Sequence, residues 1–455
     1  MPARKPRLIP RAKPAIMKNA ARPHPSMPPT LFISAGEASG EHYGALLIES
    51  LKRKLAAAGE SAAFFGMGGE RMAAAGLDVV VRSEDMAVMG LTEVLHHLPG
   101  IYREFRKLSQ SIRQRRPDVA VLIDFPEIHF RLAKQFHRRG VPVIFFVSPQ
   151  LWAWKKHRIN LVQRHISKML VIFPFEEPFY RDHGVQAEFV GHPLAELPQP
   201  SVSREQFAQE NHLDPARTWI ALLPGSRPRE IADLLPEMLR AARGLAGLPS
   251  DTPDRSDYKP ERAPHWLEAV RPDPSREDNG RYAFIVPLAP TLSQAQRDEV
   301  RRLVAAQDDG LYIRLVPDAR AALHHARASV VASGTATVEA ALIGNPFVVV
   351  YRVSPLTHAI AKRIVKVPHV AMANLIAGKR IVPELIQDTF TASNIVQQLE
   401  PLLPDGPPRQ SMMEELQRIR VLLTTPPDGR SQNQGAIDRV ADVTLAQIGA
   451  GCKRK

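Results

Sequence analysis

Between Leu31 and Tyr351, short apolar runs alternate with stretches whose apolar residues recur at helical spacing. This alternation limits the architecture more than any other feature of the chain. The strand candidates are Leu31–Ala35, Ala62–Phe65, Val119–Ile123, Val143–Phe146, Met169–Ile172 and Glu188–Val190. After a break come Trp219–Leu223, Phe284–Val286, Tyr312–Val316, Ser329–Ala332 and Phe347–Tyr351. Amphipathic stretches such as Tyr43–Ala58, Tyr102–Arg115 and Arg131–Arg139 separate them. Strands that are apolar throughout bury both faces, and strands joined through helices run parallel. The break, Pro193–Pro215, carries Pro193, Pro198, Pro200 and Pro215 and reads as a linker. The expected fold is α/β, with two Rossmann-like doubly wound domains at 31–200 and 216–390 facing a cleft. A helical segment at 391–455 follows. Such domains bind ligands at the carboxyl ends of their strands, which puts the site in that cleft.

Composition narrows the class further. The chain has 455 residues, 44% hydrophobic and 24% charged, close to the globular average, which excludes a mostly disordered or fibrous protein. Its one cysteine, Cys452, excludes a disulfide framework and a cysteine-built zinc site. No apolar run approaches the ~20 residues that a membrane span requires. The chain therefore reads as soluble and cytosolic. Its net charge of +13 is unevenly placed: residues 1–30 hold Arg4, Lys5, Arg7, Arg11, Lys13, Lys18 and Arg22, no acid and eight prolines. That composition predicts a disordered tail, with Met27 as an alternative start. The tail lacks the apolar stretch of a secretory signal. No aromatic interleaves its charges and no recognition motif follows, so no nucleic-acid partner is expected. Residues 249–282 hold six prolines, eight acids and six bases and read as a solvated insert.

The loops after the strands carry the chemistry. Leu223-Pro224-Gly225-Ser226-Arg227 leads into a helix: Gly225 permits a tight turn, Ser226 and helix-start amides donate to phosphate oxygens, and Arg227 offers a bidentate fork. Ser333-Gly334-Thr335-Ala336-Thr337-Val338-Glu339 also follows a strand and opens a helix, with Glu339 placed to accept from sugar hydroxyls or to complement the helix dipole. Two anion-suited loops in one domain point to a nucleotide or sugar nucleotide, although neither is a Walker A loop and no G-x-G-x-x-G follows the first strand. In the first domain, Gly36-Glu37-Ala38-Ser39-Gly40-Glu41 supplies amides, a hydroxyl and two carboxylates. Asp124 ends the run Val119–Ile123, as a cleft-facing carboxylate or as a turn acceptor or helix cap. Trp152 and Trp154 follow Val143–Phe146 and offer apolar walls or core packing.

At the level of whole motifs the chain closely resembles the lipid-A-disaccharide synthase family. The matching segments are AGEASGE (35–41), AVMGLTEVL (87–95), IDFPE (123–127), VSPQLWAW (147–154), FPFE (173–176), GHP (191–193), LPGSR (223–227), SGTATVEAAL (333–342) and NLIAGKRIVPELIQ (374–387). The resemblance implies a glycosyltransferase B-type fold, and an inverting transfer of 2,3-diacylglucosamine from UDP to the 6-hydroxyl of 2,3-diacylglucosamine 1-phosphate, with no metal or other cofactor. Together with the loops it implies that Gly225, Ser226, Arg227, Ser333–Thr337 and Glu339 hold the UDP donor. Asn374, Glu384 and Gln387 then contact sugar or nucleotide, and Ser39, Gly40, Trp152 and Trp154 line the acceptor side. Asp124 is the expected base, with Glu37 and Glu41 as substitutes; the family commonly has Asp where Glu41 stands.

Acylated substrates imply work at a membrane face. Met86, Val88, Met89 and Leu91, followed by Val94, Leu95, Leu98, Ile101, Tyr102, Arg103, Arg106 and Lys107, read either as an amphipathic interfacial element or as an ordinary core helix. The expectation is peripheral attachment to the cytoplasmic face of the inner membrane; a homodimer is compatible with the sequence but not dictated by it. Two other classes stay open: another UDP-sugar glycosyltransferase or epimerase of this architecture, and a non-enzymatic basic lipid- or nucleic-acid-binding protein.

Overall fold

The computed structural model describes residues 28–86, 93–248, 280–289, 292–306, 310–354, 367–424 and 434–451, with a few positions between 357 and 362. In the first half, strands β1 (Thr30–Ala35), β2 (Ala63–Gly68), β3 (Asp78–Arg82), β4 (Val119–Ile123), β5 (Val143–Phe146), β6 (Lys168–Val171) and β7 (Ala187–Phe189) form one parallel sheet in the order β3-β2-β1-β4-β5-β6-β7. In the second, β8 (Thr218–Leu223), β9 (Tyr282–Pro287), β10 (Ile313–Val316), β11 (Ala328–Ala332), β12 (Phe347–Tyr351) and β13 (Glu384–Ile386) are ordered β10-β9-β8-β11-β12-β13. Both orders reverse beside the first strand of their half, the signature of a doubly wound sheet.

The uninterrupted apolar strands are explained by burial on both faces. Leu31, Ile33 and Ala35 of β1 and Val119, Val121 and Ile123 of β4 enter one core, while Phe32, Ala120 and Leu122 enter another on the opposite face. All of these side chains are fully buried, each contributing ~1.5–3 kcal/mol for the larger ones. The helices that cover the sheets include α1 (Ala38–Ala57), α2 (Glu70–Ala74), α3 (Glu93–Arg115), α4 (Pro126–His137), α5 (Ile159–His165) and α6 (Glu176–Asp182). The second half adds α7 (Arg204–Glu210), α8 (Pro228–Leu245), α9 (Gln294–Ala305), α10 (Ala319–His325) and α11 (Thr335–Ile343).

Four elements depart from the pattern read in the sequence. Strands β3 and β13 are short, and their mixed polar and apolar sequences, DVVVR and ELI, hide them. The proline-bearing stretch 193–215 contains α7, whose Phe207 packs on the fully buried Trp219. After α12 (Met372–Ala377), α13 (Ala392–Leu399) and α14 (Pro407–Thr424), the last helix α15 (Ala436–Gly451) returns to the first half and lies on α1. Val440 and Ala441 are fully buried there, Asp438 accepts from Ser50 and Arg53, and Asp442 pairs with Lys54 at 2.7 Å. Apolar burial and not the exposed pairs should hold this return. Val440→Asp is expected to cost at least ~3 kcal/mol in urea unfolding because it buries an unpaired carboxylate, and Asp442→Ala less than about 1 kcal/mol. Equal losses would contradict that division.

Candidate active site

On the first sheet, register brings three loops to one edge. Ala35 of β1 pairs with Ile123 of β4, and Ile123 pairs with Phe146 of β5. The segments Gly36–Glu41, Asp124–Phe125 and Val147–Trp154 therefore leave side by side. Asp124 and Phe125 both adopt the left-handed conformation, at φ 52° and 50°. Gly36 is required beside them, because a Cβ there would lie 2.3 Å from the Phe125 ring. Asp124 donates its N–H to Phe146 O at 2.9 Å, and its carboxyl is partly buried. Burial, and then the charge of Glu37, pushes that carboxyl up to about 7, against the pull of a hydrogen bond from the Phe125 backbone.

The other candidates of this half divide. Glu37 is exposed at the start of α1 and faces the cleft. Glu41 is drawn away from it: its Oε1 accepts from Arg71 N at 2.9 Å and caps α2. Ser39 and Gly40 lie in the first turn of α1, and a Cβ at Gly40 would meet Ala35 and Ile123 only at ordinary contact distance. Trp152 is partly buried, edge-on to Phe175, and donates Nε1–H to Glu176 at 3.2 Å. Trp154 is 41% exposed, with the Lys155 ammonium 3.9 Å from its ring centre. Of the residues read as membrane-facing, Met86 is only 3% exposed and packs in the core beneath β2 and β3, so its side chain faces inward. Val88, Met89 and Leu91 lie outside the described residues.

On the second sheet β8 pairs with β11, Leu223 opposite Val331, so the two anion-suited loops also leave together. The amides of Ser226 and Arg227 are already engaged, because Glu230 folds back and accepts from both, at 3.2 and 3.4 Å. Gly225, at φ 108°, makes room for it; a Cβ would lie 2.4 Å from the Glu230 carboxylate. What this loop offers an anion is thus the Arg227 guanidinium and the exposed Ser226 side chain. Arg227 sits 3.5 Å from Glu230 and 4.0 Å from Glu37 of the first half, so it bridges the cleft. In the neighbouring loop Ser333 N–H joins Val350 O, Gly334 precedes α11, and the Thr337 hydroxyl donates to Gly334 O at 2.7 Å. The amides of Thr335 and Ala336 open α11 and precede its own hydrogen bonds. Glu339 is partly buried on α11, its carboxyl pushed up by burial, and its charge reaches Tyr43 of the first half.

Asn374, Glu384 and Gln387 act on the backbone. Buried Asn374 makes four hydrogen bonds, to Val382 O and Glu384 through Nδ2 and from the Ile381 and Val382 amides through Oδ1, which uses its whole capacity. Its side chain therefore has none left for a sugar. Glu384 accepts from the Val370 and Ala371 amides, and Gln387 clamps both backbone groups of Val353 beyond β12.

Comparison with known proteins decides what this cleft belongs to. The family model for lipid-A-disaccharide synthetase matches residues 31–252 and 275–427. The lipid-A-disaccharide synthase of Acidobacterium capsulatum is 53% identical over 427 residues, covering 92% of this chain and 96% of the relative. That of Koribacter versatilis is 46% identical, covering 91% and 98%. The chain belongs to the lipid-A-disaccharide synthase family. By that membership it is a glycosyltransferase. Solved structures agree on the fold: the glycotransferase of kitacinnamycin has a TM-score of 0.56 at 15% identity, covering 93% of this chain and 100% of that one. The UDP-GlcNAc 2-epimerase of Neisseria meningitidis has a TM-score of 0.52 at 11% identity, covering 92% and 100%.

Two residues of this synthase-family site escaped the sequence reading. Glu230 was visible as a helix-start pattern, Pro228 at the first helical position and Glu at the third. Glu176, fully buried, binds Ser148 Oγ at 2.6 Å, Trp152 and the Phe173 amide, and so ties VSPQLWAW to FPFE; burial pushes its carboxyl up to about 7. No spacing rule links residues 28 positions apart.

Asp124 also makes a stability prediction. Its folded pKa lies above its unfolded one, so folding favours the protonated form; that contribution is complete below about pH 4 and lost as pH rises through about 7. Asp124→Asn stays neutral throughout. Its melting temperature should exceed the parent's near pH 8 and converge on it near pH 4. Parallel melting curves at both would show the carboxyl unperturbed.

Proposed function

We propose that this chain transfers 2,3-diacylglucosamine from its UDP conjugate to the 6-hydroxyl of 2,3-diacylglucosamine 1-phosphate, with Asp124 as general base. The observation that carries the reading is the convergence across one cleft: a carboxyl of raised pKa at the end of β4, and Arg227 reaching Glu37 at 4.0 Å from the other side. The acceptor oxygen attacks the anomeric carbon from the face opposite the diphosphate. Its proton passes to the Asp124 carboxylate as the bond from the anomeric carbon to the diphosphate oxygen breaks. Negative charge then grows on UDP, where the Arg227 guanidinium and the first amides of α11 meet it. Gly225 and Ser226 shape the Arg227 loop, Ser333–Thr337 form the second one, and Glu339 accepts from the ribose. Asn374 and Gln387 serve the donor by holding Glu384 and the segment after β12. Trp152 and Trp154 form a wall on the acceptor side.

The acyl chains of both sugars bring the enzyme to the cytoplasmic face of the inner membrane as a peripheral protein. Among the described residues no helix is long and apolar enough to cross a membrane. Support for a surface contact comes from α3, where Tyr102 is 63% exposed beside Arg103, Arg106 and Lys107. An aromatic among cations suits an anionic interface.

Release of UDP from the two acylated substrates tests the chemistry. Asp124→Asn should lower turnover by roughly 10²–10⁴-fold, and the parent's rate should climb through about pH 7 to a plateau as this carboxyl ionises. Near-parental turnover in Asp124→Asn removes it as the base. For the membrane contact, replacing Tyr102, Arg103, Arg106 and Lys107 with serine should weaken co-sedimentation with anionic vesicles severalfold, and added salt should do the same to the parent. Unchanged sedimentation of the variant defeats the assignment of that face.

A further inference from the structure

His129 lies on α4, one turn past the left-handed pair, and is completely buried. Its Nδ1 is 2.5 Å from the carbonyl oxygen of Asp124, and its Nε2 is 2.8 Å from Ser34 Oγ on β1. A carbonyl oxygen only accepts, so Nδ1 carries the proton. Nε2 is then the acceptor, and the Ser34 hydroxyl donates to it. Burial pushes the ring down to about 4, which keeps this neutral tautomer at physiological pH. The ring is otherwise walled by Phe125 and Phe145, edge-on at 5.8 and 6.1 Å. Without access to the cleft it cannot itself touch a substrate.

What it touches is the joint on which the Asp124 carboxyl turns. Left-handed backbone crowds the Cβ of a non-glycine residue and is disfavoured for it, and here two such residues follow one another, Asp124 and Phe125. A conformation of that kind persists only where its surroundings over-determine it. Three contacts do so: the Asp124 N–H on Phe146 O, the Phe125 ring against Gly36, and the Asp124 carbonyl on His129. Without the turn, β4 would run directly into α4 and the residue-124 side chain would point elsewhere. We propose that His129, braced by Ser34, is a positioning residue for the transfer reaction: its hydrogen bond to the Asp124 carbonyl locks the left-handed turn that aims the Asp124 carboxyl into the cleft. This rests on Asp124 being the base.

The test is steady-state kinetics of UDP release by the full chain carrying His129→Phe, His129→Asn, His129→Gln or Ser34→Ala, with thermal melts of each and Asp124→Asn in parallel. The Asn amide reaches where Nδ1 sits and can still donate to the Asp124 carbonyl; the Gln amide reaches instead toward Ser34. His129→Phe and His129→Gln should lower kcat about 10–100-fold with both KM values within about twofold of the parent, the scale expected when a reacting group is displaced by ~1 Å. His129→Asn should recover most of kcat, and Ser34→Ala should lose only a few-fold. Equal kcat for the Asn and Gln variants overturns the proposal, even if His129→Phe fails to fold. So does a folded His129→Phe variant with parental kcat, or a loss seen only in KM. An inactive Asp124→Asn beside unaffected His129 variants defeats this inference alone, whereas an active Asp124→Asn defeats the base reading on which it stands.

Discussion

Both halves of the molecule depend on the point where the strand order reverses. From β1 the chain winds toward β2 and β3, and from β4 it winds the other way; β8 and β11 repeat the arrangement. Crossovers that diverge leave a crevice at the carboxyl ends of the two strands between them, where no helix covers the sheet. The loops that hold Glu37, Asp124, Arg227 and the first amides of α11 leave the strand ends at these crevices. The apolar strands exist to hold their ends in register, and the register is what sets Asp124 beside Glu37 and Arg227 beside α11.

Electrostatics in the crevice is arranged around one guanidinium. Arg227 lies between Glu230 and Glu37, but its side chain is 55% exposed. Exposed ion pairs contribute about 0–1 kcal/mol, so Glu37 holds Arg227 only loosely, which suits the diphosphate contact proposed for it. The amides of Ser226 and Arg227 behave differently, since Glu230 satisfies them from within the chain. The two loops that look alike in sequence are therefore unequal: one presents a cation on a preformed turn, the other presents helix-start amides.

Some side chains of the site announce themselves by type and position. Asp124 ends an apolar run, Arg227 follows a Gly-Ser turn, and Glu339 sits one turn into a helix; each follows from local periodicity. The polar Ser34 inside the apolar run Leu31–Ala35 was an equally local signal, but its meaning required His129, 95 residues away. Glu41 shows the converse. Its type and loop suit catalysis, yet α2 lies close enough to draw its carboxylate into a cap. Met86 was read from its amphipathic neighbourhood and instead fills core, because periodicity tells which residues share a face and not what that face meets.

Strand and helix alternation, apolar runs too continuous for a half-exposed sheet, and loops rich in small residues were enough to define two doubly wound halves and the ends of the strands where ligands bind. These are local properties, set by the period of burial within a few residues. The return of α15 onto α1, the saturation of Asn374, the tie of Glu176 to Ser148 and the hydrogen bond of His129 to the Asp124 carbonyl were decided only in three dimensions. Each joins side chains through packing or hydrogen bonds whose partners no periodic pattern names, and those contacts determine which carboxylates remain free to act.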